Sequence, residues 1–500
     1  MKNIILTANG TQKADLVLKN ASIVNVFTES IEVGDVAITD GKIVGIGLYE
    51  GKIEKDMTGR FVCPGFIDGH IHLESSMVTP SEFARAVIAH GTTAVITDPH
   101  EIANVAGCDG ITYMMQATKD LPLDVFFMVP SCVPATDLDE SGACLNADDI
   151  TPFYNNKRVL GLAEMMNAFG VNQADGSVLS KIKTTLEHDR IIDGHAPLLT
   201  GKELNAYTAA GIRSDHECSN IAEAKEKLSR GQWIMIREGT AAKNLQELMP
   251  LFEAPYYNRI LLVTDDKHPL DLLNDGHIDA IIRKAVHLGA NPIRAIKAGS
   301  LNAATYFGLR DTGAIAPGYD ADIVVLNDLT DLHVQEVYKQ GTLISERGQI
   351  TTAVNSNTDS IPERVIHSFH VEKITPAQLV IPKQGEHIRV IELHAGELLT
   401  SERTANWNTD ASANGWADGI NPDDDIIKIV AIERHKNTGH LGKGFLGGYG
   451  LKKGAVATSI GHDSHNLVVA GTNDTDIAIA ANAVIESEGG LAIACQGELK

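Results

Sequence analysis

Residues 61–72 read FVCPGFIDGHIH, an apolar run that leads directly into two histidines, His70 and His72. A nearly continuous apolar run, without the alternation of a half-exposed strand, is typical of a parallel β-strand buried on both faces. The two histidines are two positions apart, so their side chains lie on the same face of the strand end. Two imidazoles on one face can chelate a metal ion, but this pair alone is weak evidence for a metal site.

Seven further apolar runs follow, and the runs alternate with helical patterns. They are TTAVITD (92–98), DVFFMVP (124–130), VLGLAE (159–164), IIDGHA (191–196), GIRSDHE (211–217), WIMIREG (233–239) and RILLVTD (259–265). Successive runs end 21 to 34 residues apart, which is about the length of one strand, one helix and two loops. Eight such units predict an α/β fold, a (β/α)8 TIM-like barrel, with functional residues at the C-terminal ends of the strands.

Shorter strand patterns flank the barrel on both sides. Residues 14–62 alternate apolar and polar positions between Gly and Asp turns, and GAIAPGYDADIVVLND (313–328) returns to that pattern. We expect the two segments to pair in a composite β-sandwich domain. A polar linker at 351–366 precedes a C-terminal α+β domain, and the sequence leaves open whether that domain is shortened. The predicted domains are residues 1–60 and 313–350 (the two parts of the small β domain), 61–312 (the barrel) and 367–500 (the C-terminal domain).

The composition argues against several classes of function. Apolar residues make up 43% and charged residues 21% of the chain, and no run approaches the ~18 apolar residues that cross a bilayer. With 42 basic and 65 acidic residues the formal charge is −23, which repels nucleic acids and anionic membranes, so we expect a small-molecule partner. The six cysteines form no CxxC pair and the first residues lack a signal-peptide pattern, which favours a cytoplasmic protein with reduced thiols.

Six residues at predicted strand ends have the side chains that divalent metal ions prefer. They are His70, His72, Glu164, His195, His216 and Asp265. Imidazole and carboxylate without thiolate favour a catalytic site for zinc, manganese or ferrous iron. Glu164, on the fourth strand, can bridge two ions ~3.5–4 Å apart that share a hydroxide. Asp265, on the eighth strand, can bind the first ion and act as general base toward that hydroxide. For each residue alone, a structural hydrogen bond is the competing explanation.

Catalysis at such a site also needs an acid and groups that hold the substrate. The acid could be Glu217 or Glu101, as a carboxylic acid kept neutral by burial near other carboxylates. The candidate substrate contacts are Asp98, His100, Ser131, Arg237 and His465. Structural hydrogen bonds explain Asp98 and His100 equally well, and pairing with neighbouring charges is the alternative for Arg237.

A second cluster of ligand-type residues lies in the C-terminal segment: His462, Asp463 and His465. It could belong to a flap that closes the active site or form a third metal site. The alternative is a polar turn between the strand patterns AVATSI and NLVVAG.

Several motifs together resemble one family. They are GFIDGHIHLESSM (65–77), HGTTAVITDPHEIANV (90–105), SDHEC (214–218), VTDDKHP (263–269) and GLKKGAVATSIGHDSHNLVVAGTND (450–474). They resemble the bacterial adenine deaminases of the amidohydrolase superfamily over nearly the whole chain. The resemblance implies hydrolytic deamination of adenine to hypoxanthine and ammonia, a centre of two manganese or iron(II) ions, a homodimer and a site-closing role for the C-terminal cluster. Adenosine-type deaminases have a glutamate where this chain has Leu198, so the acid must come from elsewhere.

Two other interpretations remain open at this stage. A cyclic-amide hydrolase of the same superfamily, of the dihydroorotase or hydantoinase kind, would commonly bridge its ions with a modified lysine on the fourth strand. This chain has Glu164 at that place. A barrel without catalysis that serves as a binding protein would be expected to lack ligands, whereas all six are present.

Overall fold

The computed structural model of the chain describes residues 1–355, 361–395 and 399–500. Residues 356–360, in the predicted linker, lie outside the described residues. The chain forms two compact units. The first comprises Met1–Pro99, Thr112–Cys132 and Asn146–Ser360, and the second comprises His100–Ile111, Val133–Leu145 and Ile361–Lys500.

The first unit begins with a short helix and five strands. These are α1 (Lys2–Ala8), β1 (Ala14–Asn25), β2 (Ser30–Thr39), β3 (Lys42–Gly47), β4 (Gly51–Asp56) and β5 (Phe61–Pro64). A two-residue turn, Asp40-Gly41, joins β2 to β3, and both residues have positive φ (51° and 74°). Asp-Gly is a preferred pair for such a turn because glycine adopts positive φ at no steric cost and aspartate tolerates it.

Eight parallel strands form the barrel. They are β6 (Phe66–Ile71), β7 (Thr92–Thr97), β8 (Asp124–Val129), β9 (Val159–Met165), β10 (Ile191–Gly194), β11 (Ser214–Asp215), β12 (Trp233–Arg237) and β13 (Ile260–Val263). Regular pairing joins β6 to β10 and β11 to β13. Backbone hydrogen bonds connect these two groups, from Arg213 N–H to Ile192 O (3.0 Å) and from Asp265 N–H to His70 O (2.9 Å). The ring is therefore closed, and the predicted (β/α)8 barrel is confirmed.

Helices follow the barrel strands. They are α2 (Pro80–Ile88), α3 (His100–Ala117), α4 (Ala147–Ile150), α5 (Ala168–Asn172), α6 (Gly176–Glu187), α7 (Gly201–Ala209), α8 (Ile221–Ser229), α9 (Leu245–Leu248), α10 (Pro269–Asn274), α11 (Ile278–His287), α12 (Pro292–Ala298) and α13 (Leu301–Phe307). Asp175 and Asn220 cap α6 and α8 by accepting hydrogen bonds from first-turn amides. The first unit also has 3₁₀ helices at Leu73–Ser76, Thr151–Asn155, Met249–Phe252 and Tyr257–Arg259.

The barrel strands are apolar throughout because both of their faces are buried. Ile67, Met128 and Leu261 belong to the core inside the ring, whereas Ile236 and Leu262 pack in a second core with residues of the surrounding helices. Strands covered on both faces lose the alternation of a half-exposed strand, as the sequence runs predict.

After the barrel the chain returns to the small sheet. It adds β14 (Ile323–Leu326), β15 (Val334–Lys339), β16 (Thr342–Glu346) and β17 (Gln349–Ile350). Strand β14 pairs antiparallel with β5, so the two flanks share one nine-stranded sheet, in the order β17-β16-β15-β14-β5-β1-β2-β3 with β4 also on β1. The composite β domain expected from both flanks is therefore present.

The second unit contains an eight-stranded sheet. Its strands are β18 (His387–Glu392), β19 (Ser401–Asn406), β20 (Ile426–Ile432), β21 (Leu441–Gly447), β22 (Ala455–Thr458), β23 (Leu467–Gly471), β24 (Leu491–Cys495) and β25 (Glu498–Leu499). Its helices are α14 (Glu363–Ile366) and α15 (Asp474–Glu486), with 3₁₀ helices at Pro376–Leu379, Ser412–Asn414 and Pro422–Asp424. The face of α15 that carries Ile477, Ala481 and Val484 packs in one core with β22 and β23. The predicted C-terminal α+β domain is thus observed.

Two further features concern membrane-spanning helices and disulfide bonds. Among the described residues, no helix combines the length and the apolar character needed to cross a bilayer. All six cysteines lie in the described part of the chain, and no disulfide bond joins any two of them.

Candidate metal centre

The six predicted ligands meet at one rim of the barrel in the first unit. His70 lies in β6 and His72 directly follows that strand. Glu164 lies near the end of β9. The carboxyl ends of parallel barrel strands lie at the same rim, so residues far apart in the sequence converge there. The remaining three ligands are His195 after β10, His216 after β11 and Asp265 after β13.

Glu164 stands between two pairs of imidazoles. Its Oε1 lies 3.7 Å from Nε2 of His70 and 3.4 Å from Nε2 of His72. Its Oε2 lies 2.7 Å from Nδ1 of His195 and 3.1 Å from Nε2 of His216. Each carboxylate oxygen therefore faces a different pair of nitrogen atoms, which is the arrangement of a carboxylate that bridges two cations.

Asp265 completes the half of the site that contains the first two histidines. Its Oδ1 lies 3.0 Å from Nε2 of His72 and 3.6 Å from Nε2 of His70. One half of the site thus presents His70, His72 and Asp265, and the other presents His195 and His216, with Glu164 shared.

The residues fit a divalent metal ion on their own geometry. Nε2 of His70 is buried and has no hydrogen-bond partner within the described residues, although two carboxylates lie within 3.7 Å of it. Nδ1 of His72 lies 2.9 Å from the backbone oxygen of Asp98, a contact that turns Nε2 toward the carboxylates. Outer hydrogen bonds of this kind orient metal-binding histidines. A buried nitrogen that faces acidic oxygens without a hydrogen bond is explained when a cation lies between them.

The charges in the site stabilise one another. Burial alone would raise the pKa of Glu164, but the imidazoles of His216 and His195 hold it well below its usual range. Burial would conversely lower the pKa of His216, but the Glu164 carboxylate raises it to about 9. The site therefore keeps its carboxylate ionised, as a metal ligand must be.

Arg237, at the end of β12, joins two carboxylates of the site. Its Nη1 donates to Oδ2 of Asp265 (2.5 Å) and to Oε1 of Glu217, and its Nη2 donates to Oε2 of Glu217 (3.1 Å). Burial alone would raise the pKa of Asp265, but the two nearby histidines and the guanidinium hold it well below its usual range. The guanidinium therefore contacts both oxygens of Glu217 and one oxygen of Asp265.

A buried lysine behind the second histidine pair is a feature that the sequence reasoning missed. Lys227, on α8, donates to Ala196 O (2.6 Å), Asp215 Oδ2 (3.0 Å) and Glu223 Oε1 (2.6 Å). The side chains of Lys227, Asp215 and Glu223 are all buried. Oδ1 of Asp215 also accepts the Ala196 N–H (2.7 Å). The network ties the residue after His195 to the residue before His216. Its only sequence signal is the i,i+4 spacing of Glu223 and Lys227.

The remaining predicted site residues fall in both units. In the first unit, Ser131 Oγ donates to the backbone oxygen of Glu164 (2.5 Å), and the backbone oxygen of Asp98 lies beside His72. In the second unit, the Glu101 carboxylate contacts Nδ1 of His462 and Nε2 of His465. Nε2 of His100, the residue before Glu101, lies 3.2 Å from Oε1 of the same carboxylate.

The expectation that burial keeps Glu101 neutral is not met. Burial alone would raise its pKa, but the imidazoles of His100, His462 and His465 hold that pKa well below its usual range. The competing effect of nearby cationic or hydrogen-bonding groups therefore outweighs desolvation at this carboxylate.

Comparison with known proteins identifies the family. The amidohydrolase family profile matches residues 61–344, and the adenine deaminase C-terminal domain matches residues 397–500. An adenine deaminase of Desulfatibacillum aliphaticivorans is 47% identical over 99% of this chain and 86% of its own length. The chain belongs to the adenine deaminase family. A second adenine deaminase, from Dehalococcoides mccartyi, is 46% identical over all of this chain and 86% of its own length.

A solved structure agrees with the barrel architecture. The crystal structure of atrazine chlorohydrolase from Arthrobacter aurescens TC1, complexed with zinc, matches with a TM-score of 0.51 at 15% identity. The match covers 68% of this chain and 97% of that one. At this identity the likeness shows a shared fold, and the adenine deaminase family assignment depends on the sequence relatives.

Proposed function

We propose that the protein is an adenine deaminase that converts adenine and water to hypoxanthine and ammonia. The observation that carries the proposal is the position of Glu164, with one oxygen toward His70 and His72 and the other toward His195 and His216. Relatives named adenine deaminase at 46–47% identity over nearly the whole chain support the choice of substrate. The ligand set, a carboxylate where cyclic-amide hydrolases commonly use a modified lysine, supports it further.

The donor atoms suit two divalent ions, and we propose manganese or iron(II), with zinc as a further candidate. His70, His72 and Asp265 would hold one ion, His195 and His216 the other, and Glu164 would touch both. When bound, such ions lower the pKa of a coordinated water and stabilise developing negative charge. Imidazole and carboxylate ligands admit several first-row metals, so the ion in the cell follows from availability as well as affinity.

Asp265 is the residue that we assign as general base. It lies at the rim beside His72, and hydrogen bonds from His70 and His72, together with the charge of Arg237, hold its pKa well below the usual range. A carboxyl group that acts as general base must be ionised before the reaction and must reach the attacking water. Asp265 would take the proton of the water and pass it on toward the leaving ammonia.

Glu217 is the carboxylate that we assign to proton transfer at the adenine ring. Its Oε1 lies 3.4 Å from Nε2 of His216 and 3.7 Å from Nδ1 of His195, so it belongs to the same site. Both of its oxygens also accept hydrogen bonds from Arg237, which fixes the carboxylate at the rim. Arg237 thus holds the assigned base and the assigned acid in one network.

The cellular setting is also part of the proposal. We propose a cytoplasmic homodimer that acts in purine salvage on a free purine base, without nucleic acid or membrane partners. The formal charge of −23 supports the last point, because it opposes binding to phosphate-rich surfaces.

An ammonia-release assay tests the activity. Chelated protein, reloaded with Mn²⁺ or Fe²⁺, is given adenine, adenosine, cytosine, guanine or dihydroorotate. We expect ammonia from adenine only, with a large loss of rate after chelation. Glu217→Gln should slow turnover while keeping the bound metal, and Glu203→Gln, at an exposed position on α7, is the matched control. No ammonia from adenine with fully loaded protein would refute the proposal.

A further inference from the structure

A second group of side chains of the types that bind metal ions occurs in the second unit and includes none of the six barrel ligands. Glu101, near the start of α3, contacts His462 and His465 from the loop between β22 and β23. One ligand atom from each of the three lies within 4.8 Å of the others. Residues separated by more than 350 positions in the sequence therefore meet with the side chains of a two-histidine, one-carboxylate site.

The carboxylate of this group is buried and faces imidazoles on both of its oxygens. Glu101 is 2% exposed, with Oε1 toward Nδ1 of His462 and Oε2 toward Nε2 of His465. Nε2 of His100 also lies 3.2 Å from Oε1 and 3.6 Å from Oδ1 of Asp463. Three imidazoles and two carboxylates thus gather in one partly buried place, a density of ligand groups that a hydrogen-bonded turn does not require.

The loop that carries the two histidines is held in place from outside the cluster. Arg434 Nε donates to the backbone oxygen of His465 (2.5 Å), and Nε2 of His435 lies 2.7 Å from the backbone oxygen of Ser464. The Asn466 side chain donates to the backbone oxygen of Glu140 (2.7 Å). Side chains fixed by such outer contacts are preorganised, which lowers the entropic cost of binding an ion.

A cavity of about 310 Å³ in the same unit borders the cluster. His462 and Ser464 line it, together with Glu433 and His440. His462 is about one-third exposed, whereas His465 is mostly buried. An ion held by the cluster would therefore have protein ligands on its buried side and room for water on the other, as sites with an open coordination position do.

We infer that Glu101, His462 and His465 form a binding site for a third divalent transition-metal ion, such as Zn²⁺, Mn²⁺ or Fe²⁺. Two imidazoles and one carboxylate suit these ions, and Ca²⁺ or Mg²⁺ would prefer an all-oxygen site. Nδ1 of His465 lies 3.4 Å from the Gly461 N–H, so Nε2, the ring nitrogen that faces Glu101, is the one that would bind the ion.

Counting bound zinc tests this inference without any activity measurement. Wild-type protein, Glu101→Gln and His465→Gln are stripped with a chelator, dialysed against the same free Zn²⁺ concentration and analysed for zinc per chain. His394→Gln is the matched control, because His394 is an exposed histidine of the same unit that contacts the Ser401 hydroxyl. Circular dichroism is used to check whether each of the four proteins is folded.

We expect wild type and His394→Gln to bind one more zinc ion per chain than Glu101→Gln and His465→Gln. The barrel ligands are intact in all four proteins, so the difference does not depend on how many ions the barrel holds or on whether adenine is the substrate. Equal zinc content would overturn the inference and leave a hydrogen-bonded cluster. If the variants do not fold, an anomalous difference map of zinc-loaded wild type decides: a peak about 2.0–2.2 Å from the three ligand atoms supports the site, and its absence overturns it.

Discussion

At the scale of single residues, Arg237 joins the proposed base to the second carboxylate of the site. It donates to Asp265 and to both oxygens of Glu217, and it is buried. A nearby cation lowers the pKa of a carboxyl group, typically by about one to three units. At Asp265 the hydrogen bonds from His70 and His72 and the charge of Arg237 together hold the pKa well below its usual range. Arg237 is therefore a positioning residue that acts through the two carboxylates.

Replacing this arginine should shift the pH dependence of turnover. In Arg237→Met, loss of the positive charge raises the pKa of Asp265, so the base becomes protonated at higher pH than in wild type. The acid limb of the kcat/KM profile should move upward by about one unit or more, while the metal content stays unchanged. Arg310→Met, at an exposed position, is the control. A reduced rate with an unmoved acid limb would mean that Arg237 has only a structural role.

At the scale of elements, helix α8 holds the second histidine pair through a buried charge network. Lys227 bridges Asp215 and Glu223 where no solvent reaches them, and burial would raise the pKa of Asp215 if the lysine charge did not hold it below its usual range. Removing one partner of such a network leaves an uncompensated buried charge, which costs about 3–5 kcal/mol.

Two lysine substitutions separate burial from pairing. Lys227→Met should lower the free energy of unfolding by about 3–5 kcal/mol, measured by urea unfolding followed by circular dichroism. Lys183→Met removes the exposed i,i+4 pair with Glu187 and should change that energy by no more than about 1 kcal/mol. Similar losses in both variants would show that the buried network contributes no more than a surface pair.

The sequence predicts the elements that supply ligands better than it predicts their partners. Strand ends at His72, Glu164 and Asp265 follow from apolar runs and spacing, because a (β/α)8 chain places every strand end at one rim. The contacts of Arg237 depend on side-chain direction after β12, which spacing does not determine. The meeting of Glu101 with the C-terminal histidines joins positions that no local pattern relates.

The same limit applies to the small β sheet. Alternation and turn residues predict its strands, and the Asp40-Gly41 hairpin follows from its turn pair. The pairing of β14 with β5 was expected only in outline, because the strand patterns in the sequence do not determine the register in which the two strands pair.

At the scale of the whole molecule, bound metal should contribute to stability by mass action. A ligand that binds only the folded state at 100 times its Kd stabilises that state by about 2.7 kcal/mol. Chelation of wild type should therefore lower Tm by several degrees, and Mn²⁺ should restore it, as followed by circular dichroism. Glu164→Gln should respond less, because a neutral amide attracts two cations poorly. An identical response in this variant would argue against a bridging role for Glu164.

The most direct test of the central claim is an anomalous diffraction map of crystals of manganese-loaded protein. We expect two peaks about 3.5–4 Å apart at the barrel rim. One should lie between Glu164 and the His70/His72 pair, and the other between Glu164 and the His195/His216 pair. A single peak at that rim, or two peaks of which neither lies next to the Glu164 carboxylate, would contradict that claim.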